Sequence, residues 1–393
     1  MTGRRPERQH ELERAVGDIL DEVRAGGDAA VIRLTERFDH AELGPEELRV
    51  DPRELEGSVG VLEPDVLEGL RTAIANVRAV AQAQMREVVA VDLPEGQRVE
   101  VAEVPVRRAG IYVPGGRAPY PSTVVMGAIT ARVAGVEEVA ICAPPGPGGR
   151  AHPVILAACV LCGVTEVYRM GGAQAIAALA YGTESVPAVD VIVGPGNPWV
   201  TEAKRQVVGQ VGIDGLAGPS DLAVLATAGA EAELIALVLL AQAEHGLDSQ
   251  LWLLSPEPAL IHAVASRVPE LEVIEVDSAL AGLQAVEEIA PEHLQLVGEE
   301  AEALAGRVTR AGCVFVGSGA GTAFGDYVAG SNHVLPTGGA ARFQSALSVA
   351  TFRRRMARVS LPGEALARLA PAGAALARAE GFPVHAESME RRA

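Results

Sequence analysis

The chain of 393 residues is poor in aromatic side chains, which make up only 3% of it, although 49% of its residues are hydrophobic. A core with so few rings must consist mainly of Ala, Val and Leu. Side chains of this kind suit helices packed on the faces of buried parallel strands. The composition therefore favours an α/β protein, and the length favours two or more domains.

Cysteine is also scarce, since only Cys142, Cys159, Cys162 and Cys313 are present. They do not form a disulfide framework in a chain of this length. Cys159 and Cys162 have the spacing of a metal-binding pair, but they lie in the apolar run 154–164 and no second pair accompanies them. We interpret them as buried, reduced thiols.

Two further absences concern membranes and nucleic acids. No apolar run has the length needed to span a bilayer, and the charged N-terminal segment lacks the apolar stretch of a signal peptide. Positive charge is sparse, with a net charge of −18 and no basic cluster longer than Arg353-Arg-Arg355. Such a surface repels phosphate backbones, so we expect a cytoplasmic protein that binds no nucleic acid.

What is abundant is a repeated pattern of short β-rich run, glycine turn and helix, which begins near Val104. Residues 8–40, 45–90 and 347–393 are instead predicted to be mostly helical, and Gly26-Gly27 ends the first periodic segment. The pattern predicts a doubly wound parallel α/β fold, with glycine turns and ligands at the carboxyl ends of the strands. The predicted strands are 109–113, 136–142, 165–170, 189–193, 221–226, 250–254, 272–276, 294–296 and 313–316.

The glycine turns permit a backbone to approach a pyrophosphate closely. None has the G-x-G-x-x-G spacing of the dinucleotide fingerprint. Tyr112, Gln174 and Asn197 lie at or beside these turns. They can be cofactor contacts or residues that hydrogen-bond within the turns, and both interpretations stay open from the residues alone.

Gln242 and His245 lie three residues apart at the end of an apolar helical run. Residues at this spacing share one helix face, so an amide oxygen and an imidazole nitrogen can converge on one zinc ion. The alternative is a purely structural role, because a histidine in the last turn before Gly246 favours the helix dipole.

Other histidines also have distinctive neighbours. An imidazole beside Glu292 can act as a general base, because its ordinary pKa lies near working pH. Asp326 lies seven residues before one of these histidines. Several such contexts in one acidic, glycine-rich chain point to a site. The four histidines concerned are His245, His293, His333 and His385.

A series of motifs, in order along nearly the whole chain, resembles the histidinol dehydrogenase family. The resemblance runs from the Gly26-Gly-Asp-Ala-Ala block to the tail with Glu380 and His385. The motifs are Ile111-Tyr-Val-Pro-Gly-Gly, Gly171-Gly-Ala-Gln-Ala-Ile-Ala, Gly194-Pro-Gly-Asn, Thr201-Glu-Ala-Lys-Arg, Ala217-Gly-Pro-Ser, Gln242-Ala-Glu-His-Gly, Pro291-Glu-His-Leu and Asn332-His-Val-Leu-Pro-Thr.

The resemblance implies a zinc- and NAD-dependent enzyme of histidine biosynthesis. L-Histidinol would be oxidised to L-histidinaldehyde and then to L-histidine, with two NAD and one water consumed. It implies the fold of an intertwined homodimer with two incomplete Rossmann-like domains. Their implied extents are 1–20 for an N-terminal helical segment, 21–111 with 220–346 for the catalytic domain, 112–219 for the NAD domain, and 347–393 for a tail that reaches the partner.

The resemblance also implies roles for individual residues. Glu292 and His293 match the catalytic pair: His293 would accept the alcohol proton, and Glu292 would activate water on the aldehyde. The zinc ligands would be Gln242, His245 and Asp326 of one subunit and His385 of the partner subunit. Zinc would act as a Lewis-acidic template for the substrate.

Substrate and cofactor contacts are implied in the same way. Ser220, His333 and Glu380 match substrate-contacting residues, and His293 and the four zinc ligands would also touch the substrate. Tyr112, Gln174 and Asn197 match the NAD contacts.

The chain departs from the family pattern at four places. Asp221 replaces the usual Glu, Leu247 replaces the usual Pro, and Pro198-Trp199 is an unusual pair. The segment 317–322 is short and glycine-rich, and it would change how Asp326 is presented.

Two other functions are compatible with part of the pattern. A paralogue that oxidises another small alcohol would keep zinc, NAD and the Glu-His pair, but the persistence of the substrate-contacting residues favours histidinol. A zinc hydrolase would use Glu292 to activate water and would leave the glycine turns without a purpose.

Overall fold

The fold is taken from a computed structural model, which describes residues 4–115, 118–246 and 248–393. Gly116 of the first motif, Leu247 and residues 1–3 of the predicted N-terminal helix lie outside the described residues. The chain divides into two compact units. The first unit is Met1–Gln84 with Val106–Phe352, and the second is Met85–Pro105 with Arg353–Ala393.

Helices and strands alternate through most of the first unit, and the elements of both units are numbered together along the chain. The helices are α1 (Arg4–Asp39), α2 (Pro52–Gly57), α3 (Pro64–Ala83), α4 (Pro121–Val133), α5 (Pro153–Leu161), α6 (Gly172–Tyr181), α7 (Pro198–Val207), α8 (Ala232–Ala243), α9 (Pro258–Ala265), α10 (Ala279–Ile289), α11 (Glu299–Glu302), α12 (Thr322–Tyr327), α13 (Gly363–Ala379) and α14 (Pro383–Glu390). The strands are β1 (Val89–Asp92), β2 (Arg98–Pro105), β3 (Arg108–Tyr112), β4 (Glu138–Ala143), β5 (Glu166–Arg169), β6 (Val191–Val193), β7 (Gly212–Ile213), β8 (Asp221–Ala226), β9 (Gln250–Ser255), β10 (Glu272–Glu275), β11 (His293–Val297), β12 (Cys313–Val316) and β13 (Arg353–Ser360).

The first unit contains two five-stranded sheets, and the predicted α/β fold with parallel strands is confirmed. Their strand orders are β5-β4-β3-β6-β7 and β10-β9-β8-β11-β12, and every pair within them is parallel. The central strands β3, β8 and β11 are buried along their whole length. Burial along the whole strand is expected where helices cover both faces of a parallel sheet.

Each sheet packs between two helical layers. Helices α4 and α5 bury Met126, Ile129 and Leu156 against one face of the first sheet, while α1 and α6 cover its other face. The second sheet is covered by α8 and α9 on one face and by α10 on the other. The small Ala and Val side chains predicted for the core fill these interfaces, with Tyr168 and Phe352 as the largest fully buried side chains.

The second unit contains an antiparallel sheet that the sequence patterns missed. Strands β1, β2 and β13 form it, with Arg353 opposite Pro105 and Ser360 opposite Arg98. The helix prediction for 347–393 is therefore wrong over Arg353–Ser360. The partner strand β2 lies some 250 residues earlier, so no local periodicity reveals the pairing. Helices α13 and α14 pack through small alanines.

The glycine pair in α1 acts as predicted, but only locally. Gly27 has φ 53° and ψ −140°, outside the helical region, and the helix resumes after it as far as Asp39. In the described part of the chain, no helix combines the length and apolar character needed to cross a membrane.

Candidate active site

The two sheets present different edges to the candidate site. In the first sheet, Tyr112 ends β3 and the Gly194–Asn197 turn follows β6, so the residues lie at carboxyl ends, as predicted. In the second sheet, Ser220 precedes β8 and His293 begins β11, so these residues lie at amino ends. The predicted site residues of the second sheet thus lie at strand ends opposite to those that carry the glycine turns of the first sheet, and their roles stay predictions.

One cavity of about 650 Å³ gathers most of the predicted residues. Its wall is formed by residues at the edges of both sheets, by the end of α12 and by the segment that follows α12. The predicted residues that line it are Tyr112, Asn197, Ser220, His245, Glu292, His293, Asp326 and His333.

Glu292 is fixed by a reciprocal contact with Asp221. The backbone N–H of Glu292 donates to Asp221 Oδ1 at 2.6 Å, and the backbone N–H of Asp221 donates to Glu292 Oε2 at 3.0 Å. A third N–H, from Gly338, donates to Asp221 Oδ2 at 3.1 Å. Burial raises the pKa of Asp221 to about 6, against the opposing effect of these backbone donors. Asp221 thus sets the orientation of Glu292.

His293 lies between two carboxylates. Its Nδ1 is 3.6 Å from Glu292 Oε2, and its Nε2 is 3.7 Å from Asp326 Oδ1. Burial alone would lower the pKa of His293, but Asp326 and Glu292 outweigh burial and raise the pKa to about 10. Phe315 stacks on the ring with centroids 5.9 Å apart. This arrangement favours the protonated form of His293.

Asp326 is surrounded by imidazoles. Burial favours its protonated form, but His293, His333 and His245 together lower its pKa. His333 Nδ1 lies 2.9 Å from the Asp326 carbonyl oxygen, which can only accept, so Nδ1 carries the proton. His333 Nε2 is 3.3 Å from the Thr123 hydroxyl. Burial lowers the pKa of His333, so this imidazole is neutral and its Nε2 accepts from Thr123.

Gln242 has an unusual environment for an amide. The residue is 1% exposed, and neither Oε1 nor Nε2 has a hydrogen-bond partner. Buried amides are almost always hydrogen-bonded, so both polar atoms of this side chain have capacity for a further partner. His245 follows Gln242 by three residues, and its Nδ1 lies 3.2 Å from the Gln242 carbonyl oxygen. Within the described ranges, no group of three or more His, Cys, Asp or Glu side chains is arranged to hold a metal.

The predicted NAD contacts line a second cavity of about 1170 Å³, which shares Tyr112 and Asn197 with the first. Gln174 donates to Asp39 Oδ2 at 3.3 Å, and the Tyr112 hydroxyl accepts from the Gly172 N–H at 3.2 Å. Asn197 Oδ1 accepts two N–H groups at the start of α7. Tyr112 and Asn197 therefore hydrogen-bond within the turns, whereas Gln174 bonds to the end of α1, and all three residues line the second cavity.

Glu380 and His385 belong to the second unit. Glu380 follows the last turn of α13, and His385 lies on α14, where its ring is 5.3 Å from that of Phe382. Both side chains are exposed.

Sequence reasoning missed Asp221 and Thr123 as parts of the site. Asp221 had been noted only as a departure, although a carboxylate that opens a buried strand is itself a signal of a polar partner. The contact of Thr123 with His333 joins residues 210 positions apart, and no sequence signal reveals it.

Comparison with known proteins identifies the family. The histidinol dehydrogenase family profile matches residues 2–393. A histidinol dehydrogenase of Parasynechococcus marenigrum is 45% identical over 98% of this chain and 92% of that relative. One of Ruegeria pomeroyi is 44% identical over 100% of this chain and 94% of that relative.

This chain belongs to the histidinol dehydrogenase family. A crystal structure of histidinol dehydrogenase from Elizabethkingia anophelis covers 97% of this chain and 92% of its own, with 32% identity and a TM-score of 0.92. The protein is therefore an oxidoreductase of an NAD-dependent family of histidine biosynthesis, as the motifs predicted. The alternative of a dehydrogenase for another small alcohol is not favoured.

Proposed function

We propose that this protein oxidises L-histidinol to L-histidinaldehyde and then to L-histidine, with two NAD as acceptors, in the cavity that holds Glu292 and His293. The observation that carries the proposal is the composition of this cavity. It combines Glu292 and His293 of the second sheet with Tyr112 and Asn197, which lie at the glycine turns of the first sheet. A substrate carbon and a nicotinamide need such a shared space for hydride transfer. We further propose that the enzyme acts in the cytoplasm.

We propose that Gln242, His245 and Asp326 hold a zinc ion together with His385 of a second copy of the chain. Two observations support this set of ligands. The buried Gln242 amide has no hydrogen-bond partner, and neighbouring histidines lower the pKa of Asp326 and so favour its carboxylate form. Amide, imidazole and carboxylate are donors that zinc accepts. When bound, zinc would supply Lewis acidity and a template for the substrate's polar groups.

His293 is the proposed base for both oxidations. A base needs a free lone pair, whereas the carboxylate of Asp326 holds a proton on His293. Engagement of Asp326 by a cation would withdraw this charge and lower the pKa of His293 toward the working range. His293 would then accept the proton of the alcohol and later that of the hydrated aldehyde.

Glu292 is the proposed base that activates water for the second oxidation. Its carboxylate accepts from Asp221 and reaches into the same cavity as His293. Ser220, His333 and Glu380 are the proposed substrate contacts, joined by His293 and the metal ligands. Tyr112, Gln174 and Asn197 are the proposed NAD contacts.

We propose a homodimer whose active sites share the tail. Exposed apolar side chains of the second unit support a partner surface, because large exposed apolar patches mark interaction sites. They include Val89, Val91, Val359, Leu361, Leu376, Phe382 and Val384. The domain division that accompanies this proposal is 1–20, 21–111 with 220–346, 112–219, and 347–393.

The stoichiometry of the reaction tests the function. Metal-loaded protein, with its zinc content measured, is expected to form two NADH for each L-histidinol at alkaline pH. Glu292→Gln is expected to reduce the yield toward one NADH, because water activation is impaired. Absence of NADH from the metal-loaded wild type would refute the function.

Subunit mixing tests the shared tail. Neither His385→Asn nor Glu292→Gln subunits alone should form two NADH for each L-histidinol. Once exchanged, they are expected to regain formation of the second NADH, because one of the two heterodimer sites has both residues intact. The matched control mixes His245→Asn with Glu292→Gln and is expected not to regain the second NADH, since both changes lie in the same part of the site. Equal failure of both mixtures after verified exchange would contradict a shared tail.

A further inference from the structure

Gly194 opens the turn that carries Asn197 and lies at very close approach to the backbone of Tyr112. Its φ is 113°, and a Cβ at this residue would lie 2.1 Å from the Tyr112 carbonyl oxygen. Only glycine therefore fits at this position against β3. Any shift of Gly194 moves Asn197 relative to Tyr112, and both are proposed NAD contacts.

Both polar groups of Gly194 are held by one buried ion pair. Its N–H donates to Asp214 Oδ2 at 2.7 Å, and its carbonyl oxygen accepts from Lys204 Nζ at 2.5 Å. Lys204 Nζ also donates to Asp214 Oδ1 at 2.6 Å. The Lys204 and Asp214 side chains are 4% and 8% exposed. Hydrogen bonds to charged groups are the stronger kind, so the pair fixes the peptide on both sides.

The same ion pair connects the turn to the segment that follows His333. The Asp214 carbonyl oxygen accepts from Gln344 Nε2 at 3.1 Å. Residue 347, three positions later, is tied back by its N–H to the Val334 carbonyl oxygen at 2.9 Å. Lys204 and Asp214 also line the first cavity. The pair therefore lies between the cofactor turn and the proposed substrate-contacting segment.

Lys204 is the only lysine in a sequence with 33 Lys and Arg residues. Lysine presents a compact ammonium group, whereas arginine presents a broad planar fork. The Lys204 ammonium donates to both the Gly194 carbonyl oxygen and the Asp214 carboxylate. The single lysine of the sequence thus lies where a compact cation satisfies two buried acceptors.

We propose that Lys204 and Asp214 are positioning residues that set the affinity for NAD by holding the Gly194–Asn197 turn. This inference rests on the proposed role of Asn197 as an NAD contact. Neither residue is required to touch the reacting atoms. Their loss should therefore raise KM for NAD and leave kcat nearly unchanged.

The decisive variant is the double change Lys204→Met with Asp214→Asn. Lys204→Met alone would leave a buried unpaired carboxylate and destabilise the fold, whereas the double variant removes both charges. We expect the double variant to melt near the wild type and to raise KM for NAD about tenfold, as for the loss of one good hydrogen bond to a charged group. Lys204→Arg, which keeps the charge and offers a second folded variant, should raise KM in the same direction.

A matched control removes another buried ion pair of the same sheet, far from the turn. Arg108 and Glu166 lie at the amino ends of β3 and β5, at the opposite edge from Gly194. Arg108→Met with Glu166→Gln should leave KM for NAD unchanged. Asn197→Ala should raise it.

The outcomes separate the inference from the function on which it rests. If Asn197→Ala raises KM for NAD while the double variant and Lys204→Arg do not, the positioning role is refuted. If Asn197→Ala itself has no effect, the proposed cofactor contact fails instead. If the Arg108 control raises KM as much as the double variant, the effect reflects general loosening of the sheet and the inference is also overturned.

Discussion

Asp39, the last residue of α1, lines the second cavity and accepts from Gln174. Burial raises the pKa of Asp39 from 3.8 to about 6, although His40 acts in the opposite direction. Between these two pH values the folded protein binds a proton that the unfolded chain lacks. Stability from this group therefore rises as pH falls from 7 toward 4, and above pH 6 the ionised carboxylate destabilises the fold.

The size of this destabilisation follows from the difference between the folded and unfolded pKa of Asp39. A shift of roughly two pH units corresponds to at most about 3 kcal/mol, at about 1.36 kcal/mol per unit. The carboxylate is partly exposed, so solvent screening reduces the expected effect to about 1–2 kcal/mol. Asp39→Asn keeps an acceptor for Gln174 and removes the charge. We expect this change to raise Tm at pH 8 by about 1–2 °C, because a chain of 393 residues has a large entropy of unfolding.

Thermal unfolding of the wild type and Asp39→Asn between pH 4 and pH 8 tests this reasoning. The difference in Tm should be largest at pH 8 and should vanish near pH 4, where Asp39 is neutral in the wild type as well. Asp18→Asn, an exposed carboxylate on the same helix, is the control and should give a small difference at every pH. A variant that melts below the wild type at pH 8 would refute the argument, as would a difference that does not change with pH.

Two other predictions concern Asp221 and Gln242. Asp221→Ala removes the acceptor of two backbone N–H groups, from Glu292 and Gly338, and should lower the free energy of unfolding by about 2–4 kcal/mol. It should also reduce kcat at least about tenfold because Glu292 loses its orientation, and unchanged kcat with lowered stability would contradict the positioning role. Gln242→Met replaces the orphaned amide with an apolar side chain of similar size, so the metal-free variant should melt at or above the metal-free wild type. Added zinc should raise Tm of the wild type but not of Gln242→Met, and an equal rise in both proteins would argue against Gln242 as a ligand.

Local signals predicted the two parallel sheets well. Strands such as β4, β8 and β12 are short apolar runs next to glycine turns, and both features lie within ten residues of each other. The strand β13 escaped prediction because its Arg-rich sequence has no local signature. Its structure depends on pairing with β2 through eight residues of register.

In the candidate site, too, residues with local sequence signals were predicted and contacts between distant residues were not. Motif residues such as Glu292 and His293 were recognised from their neighbours in sequence, and one cavity brings them together. The supporting contacts could not be predicted from the sequence, since Asp221 and Glu292 are 71 residues apart in the chain. The amino-end location of the pair in the second sheet was also missed, because the order of strands and helices does not state which edge of a sheet meets its neighbour.

The buried location of Lys204 has a chemical consequence for the whole protein. Lysine ε-amino groups are the usual targets of acylating and glycating metabolites and of amine-reactive dyes. Here the only such group is 3% exposed and engaged with Asp214. The folded protein therefore offers these electrophiles no accessible lysine, and loss of the native fold would be reported directly by the appearance of a reactive ε-amine.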